Sequence, residues 1–505
     1  MPSKEIKELR KSGRLEEALT MAQAELEAQP DNIWGKRNIS WVYYEYLKKY
    51  AHDVNFDGFI ENLNKIKELN LPKEEVMIFD ASAYQVASML FKIHNSEPID
   101  YSKINQIFDI IQAFHFTKPS DSFSILYKSF HKGYHNWSRY LEFADWWDFD
   151  NLRPEDYMPE EFNDRKIMTL AEQAHIAYAK ALIEGEPLDA FGAQRRIDTD
   201  KIKTFLHKLD SIIDKHPEYQ YPPYFKAKLL LALGNEDDVL KAFIPFAKQK
   251  RNDFWVWELM ADIFANDKAL QFACYCKALS LKTPEDFLVK TRNKFAELLI
   301  LDKRYQEAKT EIEKIIRIRN KHSWKISNQL SQWINSDWYS TVGASSNNNP
   351  LYSKHIREAD EILFQDIPEE QVIVEFVNTD KKILNFIKNK TYHGFFTYKG
   401  ISFVPSIGDL LLVRLQPVGT DGFYKVLTIK KSTDIEILDL DIIKKVKGNF
   451  SQNTGQNFGF LGDIFVSPET ITKNKLNNGD NIEGIALLSY NKKKNEWGWK
   501  LLKID

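Results

Sequence analysis

The chain has 505 residues and a mass of 59.1 kDa, too long for one compact core, so about three domains are expected at roughly 150 residues each. Hydrophobic residues make up 43% and charged residues 28%, which excludes wholesale disorder. The 69 basic and 72 acidic side chains leave a formal net charge of -3, which excludes a global pull onto nucleic acid or membrane and makes any polyanion site local.

The start, MPSKEIKELRKSGR, has no signal-peptide core, and no apolar run of about 18 residues stands out. A membrane span is therefore not expected, and a cytoplasmic location is. Cys274 and Cys276 are the two cysteines, which excludes a disulfide framework and a four-cysteine zinc site. Two apart on a helix, they point to different sides, so core packing is expected of both.

From the amino terminus to about residue 340, apolar residues recur at three and four spacings, the signature of helices. Repeats are visible. GRLEEALTMAQAELEAQPDN carries Leu15, Ala18, Ala22, Leu26 and the terminating Pro30, and the next helix offers Ile39, Ser40 and Tyr43. AKLLLALGNEDDVLKAFIPF supplies Ala227, Leu230 and the turn residue Gly234, and Trp257 to Ala278 with Tyr275 reads as a shortened copy. NKFAELLILDKRYQEAKTEIEKII places Ala296, Leu299, Tyr305, Ala308 and Ile312 where small residues let two helices approach and large ones fill between. This pattern resembles tetratricopeptide repeats and implies an all-α solenoid over 1–340 whose concave face holds a protein partner. Residues 55 to 200 are helical in pattern without a quotable repeat.

In this region His131 and His135 stand four apart, but Lys132 occupies the place of a metalloprotease glutamate and Gly133 weakens the helix, so no metal site is expected. The surrounding KSFHKGYHNWSRYLEFADWW interleaves Lys128, Lys132 and Arg139 with Phe130, Tyr134, Trp137, Tyr140, Trp146 and Trp147. Such interleaving serves either single-strand stacking or a core with a solvated basic face. Thr341 to Pro350, TVGASSNNNP, reads as a flexible linker, followed by a short helix from Ser353 to Phe364; together they occupy 341–365. No phosphate loop, nucleophile elbow or carboxylate cluster appears, so neither catalytic residues nor a cofactor is expected; Asp439, Leu440 and Asp441 alternate as a strand edge would.

After residue 366 the segments become short, β-branched and glycine-punctuated. Residues 366–441 predict a diverged barrel from VIVEFVN, ILNFI, GFFTYKGISFVP, DLLLVRL and FYKVLTIK, with a turn at Ser406-Ile407-Gly408-Asp409 and a small binding face of Phe395, Tyr398 and Lys399. Residues 442–505 predict a second five-stranded barrel of OB type. Ten lysines against six acidic residues make it the locally basic module. Phe458 and Phe460, two apart on a strand, share a face, and Gly459 between them leaves the opposite side uncrowded.

Phe458-Gly459-Phe460-Leu461 resembles the first ribonucleoprotein motif of cold-shock domains, and Asp463-Ile464-Phe465-Val466 resembles the second. The resemblance implies that Phe458, Phe460 and Phe465 stack on bases, with Lys445, Lys447, Lys473 and Lys500 near the phosphates and Asn457 and Trp497 at the edge. Trp499 shares the face of Trp497, so that pair serves equally well as core. The family's first-strand Trp is replaced by Ser451 or Gln452 and its later His by Ser467 followed by Pro468, a loss of about 1–3 kcal/mol for each stacked base. Helical repeats followed by two such barrels resemble the tetratricopeptide proteins of bacterial TOTE conflict systems, which are predicted to act against invading genomes beside a primase. That resemblance implies a non-enzymatic adaptor binding single-stranded RNA or DNA and a primase-type or nuclease effector. The rival reading is a protein-interaction scaffold or oligomer subunit that binds no nucleic acid. A hydrolase built in the central helices is the third.

Overall fold

The computed structural model divides the chain into two compact units, Met1–Phe246 and Ala247–Asp505. It describes residues 2–162, 165–187, 195–234, 236–399, 401, 403–419, 422–432, 441–491 and 496–504. Of the acidic alternation read from the sequence, Asp439 and Leu440 lie outside the described residues.

The first unit is helical, and the caps explain where its helices begin. Asn32, Asn55, Asp100, Ser120, Thr169 and Asp198 each accept a hydrogen bond from a free first-turn N–H, starting Ile33–Asp53, Phe56–Glu68, Tyr101–Ile111, Asp121–His131, Leu170–Glu184 and Thr199–Lys215. One apolar core runs from Ile6 to Leu229. The small repeat residues Ala18, Ala22 and Ala227 are fully buried, as close helix approach requires. Two short hairpins interrupt the helices: β1 (Glu160–Phe162) with β2 (Arg165–Ile167), and β3 (Glu186–Pro187) with β4 (Arg195–Arg196). Their strands are too short for a period-2 signal.

The helix Val76–His94 is, against expectation, long and apolar enough to cross a membrane by length and composition. It is a core helix: Phe79, Ala83, Val86, Met89 and Leu90 are buried, and it packs on Ile33–Asp53 and Asp121–His131. The aromatic-basic stretch is core as well. Phe130, Trp137, Tyr140 and Trp147 are buried, while Lys128 pairs with Glu160 and Arg139 with Asp109 and Glu142 at the surface. The two histidines do not share a helix face, because the helix ends at His131 and His135 lies in a separate 3-10 turn.

The helix Glu236–Gln249 spans the division between the units. In the second unit, helices Phe254–Ile263, Lys268–Ser280, Val289–Leu301 and Tyr305–Lys321 precede two barrels. Cys274 and Cys276 are free and buried, and burial pushes both thiols well up. The segment read as a flexible linker is anchored. Asn348 is buried and donates to the Glu307 carbonyl at 3.0 Å and to Glu311 at 2.6 Å, and Ser345 N donates to Thr310 Oγ1 at 2.9 Å. The following helix therefore begins earlier than expected, at Asn349 with Pro350 in its first turn, and runs to Phe364. It packs on Lys268–Ser280, where Lys277 meets Asp360 at 2.7 Å.

The first barrel consists of β5 (Glu370–Asn378), β6 (Ile383–Ile387), β7 (His393–Thr397), β8 (Leu410–Val418) and β9 (Phe423–Lys431). The second consists of β10 (Ile443–Ser451), β11 (Gly459–Leu461), β12 (Ile464–Val466), β13 (Asn481–Asn491) and β14 (Glu496–Ile504), with the helix Pro468–Asn474 between β12 and β13. Both are closed in the same order, β5-β6-β7-β9-β8 and β10-β11-β12-β14-β13, each through one parallel pair.

The barrels are joined by an apolar seam that the sequence did not announce. Ile373, Ile387 and Leu410 of the first cluster with Ile442, Ile443, Leu487 and Leu488 of the second. Gly408 (φ +88°) closes the turn foreseen at Ser406–Asp409, and a Cβ there would come within 2.8 Å of Leu502. Glu375 accepts from Ser489 Oγ and from Tyr490 N at 3.0 Å, tying the seam's polar margin.

Candidate nucleic-acid interface

Strand alternation builds the site in the second barrel. Val446, Phe450, Leu461, Ile464 and Val466 point into the core, so their neighbours point outward. Phe458 precedes β11, Phe460 lies on it, and Phe465 is the direct partner of Phe460 on β12. Their ring centroids lie 5.9 Å (Phe458–Phe460), 5.6 Å (Phe458–Phe465) and 6.0 Å (Phe460–Phe465) apart. Phe460 is 38% exposed. The three rings thus form one patch on the outside of the barrel.

Gly459 contributes differently from expectation. The side opposite the rings is crowded, because a Cβ at Gly459 would overlap the Phe450 ring and the Ser451 carbonyl. The glycine lets β11 lie close against the Phe450 ring, while strand alternation turns the flanking phenylalanines outward. Gly459→Ala should therefore destabilise the barrel by about 1–3 kcal/mol, read as a lower urea midpoint.

The cations divide. Lys500 is the register partner of Phe465 on β14 and joins the rings. Lys445 and Lys447 are exposed on the outer face of β10, Lys447 roughly 13 Å from Ser451 along the strand. Lys447 is engaged by Glu483 at 2.8 Å, which holds that carboxyl below its ordinary range. Lys473 is exposed on the helix Pro468–Asn474, and no contact among the described residues brings it to the rings. Lys444, which sequence reasoning passed over, lies 4.4 Å above the Trp499 ring and 3.7 Å from Asp463.

The family's missing residues have structural replacements. Ser451 Oγ donates to the Phe460 carbonyl at 3.3 Å, Gln452 Nε2 closes the exposed β10–β11 loop on the Gln456 carbonyl at 2.7 Å, and Ser467 with Pro468 starts a helix. Asn457 is exposed in that loop. Trp497 is a seam residue, its ring 5.0 Å from that of His393, and Trp499 packs against both the seam and the barrel core. Neither tryptophan joins the ring patch. In the first barrel, Tyr398 is core, so the expected face of Phe395, Tyr398 and Lys399 does not form; Phe395 faces outward with Phe423, and Lys399 is exposed.

Among the described residues no group of three or more His, Cys, Asp or Glu side chains is placed to hold a metal ion. His131 instead stacks on Tyr127 and Tyr134 with ring centroids 5.5 and 4.9 Å apart, and burial pushes its pKa down to about 4.

No curated protein matches the chain significantly. The chain aligns with the crystal structure of yeast Tom70 at 12% identity and TM-score 0.25, covering 72% of this chain and 84% of that one. It aligns with the structure of Naa15/Naa10 bound to HypK-THB at 14% identity and TM-score 0.25, covering 72% of this chain and 55% of that one, about half its length. Similarity at that level does not define a shared fold. Residues 220–359 match a domain of unknown function, DUF7017. Residues 364–427 and 444–504 match the family models for S1/CSD-like domains 1 and 2 of the TOTE conflict systems, so the tandem barrels are that pair of domains, in that order.

Proposed function

We propose that the chain is a non-enzymatic adaptor of prokaryotic defence, acting in the cytoplasm. Its second barrel grips single-stranded RNA or DNA, and its helical region holds a protein partner of primase or nuclease type. The observation that carries the reading is the ring patch. A single exposed phenylalanine is ordinary, but three converging rings beside Lys500, Phe460 among them exposed, form a stacking platform that tolerates any base. Lys445 and Lys447 extend the same face toward a phosphate track. The pairing of Lys447 with Glu483 and of Lys444 with Asp463 favours the rival scaffold reading, since it reduces the charge left for phosphates.

Fluorescence anisotropy of the full chain against labelled single-stranded RNA and DNA decides between them. If about three phosphates are neutralised, affinity falls about twentyfold between about 50 and about 200 mM salt. Phe460→Ala weakens binding by about tenfold while leaving the chain folded, because the residue is 38% exposed and lies outside the barrel core. A folded wild-type chain that retains no oligonucleotide at low salt transfers the conclusion to the scaffold.

A further inference from the structure

The first barrel repeats the row of the second with different side chains. Register pairs set Phe376 of β5 opposite Asn385 of β6, Asn385 opposite Phe395 of β7, and Phe395 opposite Phe423 of β9. The same path across the equivalent strands of the second barrel reads Ser451, Phe460, Phe465 and Lys500. Phe376 is 47% exposed, and the rings of Phe395 and Phe423 lie 5.5 Å apart. Val418, opposite Phe423 on β8, extends the apolar surface. Lys425, two residues beyond Phe423 on the same face, is exposed and makes no ion pair among the described residues.

A β-bulge creates the row. Simple alternation would send Phe376 inward with Val372 and Val374, but the register shifts between Val374 and Phe376. Glu375 is absorbed at the seam, and Phe376 turns outward. The neighbouring row on the same outer face, Ile373, Ile387 and His393, is sealed by the second barrel. The second barrel's own row ends at Lys500, whose partner Leu487 lies in that seam. Both rows therefore abut one seam.

The centre of the two rows differs in chemistry. Where the second barrel has Phe460, the first has Asn385, half-buried between aromatic neighbours, and its amide has no hydrogen-bond partner among the described residues. An amide offers an adjacent donor and acceptor, which is what the edge of a splayed-out base requires. Rings alone accept every base; rings around an amide discriminate.

We propose that Phe376, Phe395 and Phe423 form a second single-strand site in which Asn385 reads a base edge. The first barrel then selects composition and the second supplies tolerant grip on one continuous strand. The proposal rests on the single-strand reading above.

The test measures the full chain against homo-adenine, homo-cytosine and homo-uracil RNAs of about 12 nucleotides, within the span of such folds. The wild type is expected to separate the three by at least about fivefold, and Asn385→Ala to compress them to within about twofold. Phe376→Ala should weaken all three by about tenfold, Phe376→Tyr should keep the ring's contribution, and Phe460→Ala should weaken all three without compressing their ratio. Neither Phe376 nor Asn385 is buried, so both variants are expected to fold. If Phe460→Ala weakens binding while Phe376→Ala and Asn385→Ala change nothing, the second barrel binds alone and this proposal falls. If the first-barrel variants act and Phe460→Ala does not, this proposal stands and the site on the second barrel falls. A folded wild-type chain that binds none of the three, nor their single-stranded DNA counterparts, overturns both.

Discussion

Replacing Glu311 with alanine should destabilise the second unit by about 3–5 kcal/mol, the cost of leaving a buried charge without its counter-ion. Arg292 is 2% exposed and Glu311 0%. Both oxygens of the carboxylate are engaged: Oε2 accepts from Arg292, and Oε1 accepts from Tyr352 OH and, at 2.6 Å, from Asn348 Nδ2. These groups come from three elements: the helix Val289–Leu301, the helix Tyr305–Lys321, and the start of Asn349–Phe364. The network therefore fixes the helix that leads into the barrels, and losing it should also release the anchored segment before Asn349. Glu285, at 2.6 Å from Arg292, keeps part of the guanidinium paired in the variant. Thermal unfolding of the full chain should show the affected transition lowered by roughly 10 °C. The double variant Arg292→Met, Glu311→Leu should be less damaged than Glu311→Ala, because removing both charges also removes their desolvation cost. Equal stability of Glu311→Ala and wild type would mean that Glu285 alone satisfies Arg292 and that the network contributes nothing.

The sequence made the ring patch legible because a short-range rule generates it. Phe458 and Phe460 are two apart, a turn at Gly462 follows, and Phe465 returns on the next strand opposite Phe460. The strands and barrel order follow from glycine-punctuated β-branched segments in the same way. What stayed hidden depends on contacts distant in sequence. Trp497 looks like a stacking ring until His393, from the other barrel, is placed against it. Phe376 looks like core until one bulge at Glu375 reverses its direction, and Tyr398 looks like surface although it closes the first core. The polar run TVGASSNNNP looks unstructured because composition measures burial of apolar area. Asn348 is held there by a buried carboxylate 37 residues away in the chain. Composition also cannot distinguish an apolar core helix from a membrane span, and Val76–His94 is settled only by the helices packed on it.

The aromatic core of the first unit should make that unit sensitive to acid. Burial pushes the pKa values of His131 and His175 from 6.5 down to about 4. His131 is stacked between Tyr127 and Tyr134, with His135 and Lys180 adding like-charge repulsion. His175 packs against Phe149 and Phe205, repelled by Lys208 and His216, although its bond to the Ala171 carbonyl at 2.7 Å acts in the opposite direction. Above pH 6.5 neither the folded nor the unfolded chain protonates them, and the unit has its full stability. Between about 6.5 and about 4 the unfolded chain binds protons that the folded core refuses, so stability rises with pH across this window. It is lost progressively on acidification, by about 3 kcal/mol for each histidine at the lower end. Thermal unfolding at several pH values, followed by near-ultraviolet circular dichroism of the Phe123–Trp147 cluster, should show this unit's transition falling steeply below pH 6.5. The variant His131→Phe, His175→Phe removes the protonation sites while filling similar volume, and its transition should be much flatter over the same range. Identical slopes for wild type and variant would reassign the acid sensitivity to other groups, His94 among them, whose pKa burial also lowers. A flattened slope would establish that the aromatic core is held together by keeping two histidines neutral.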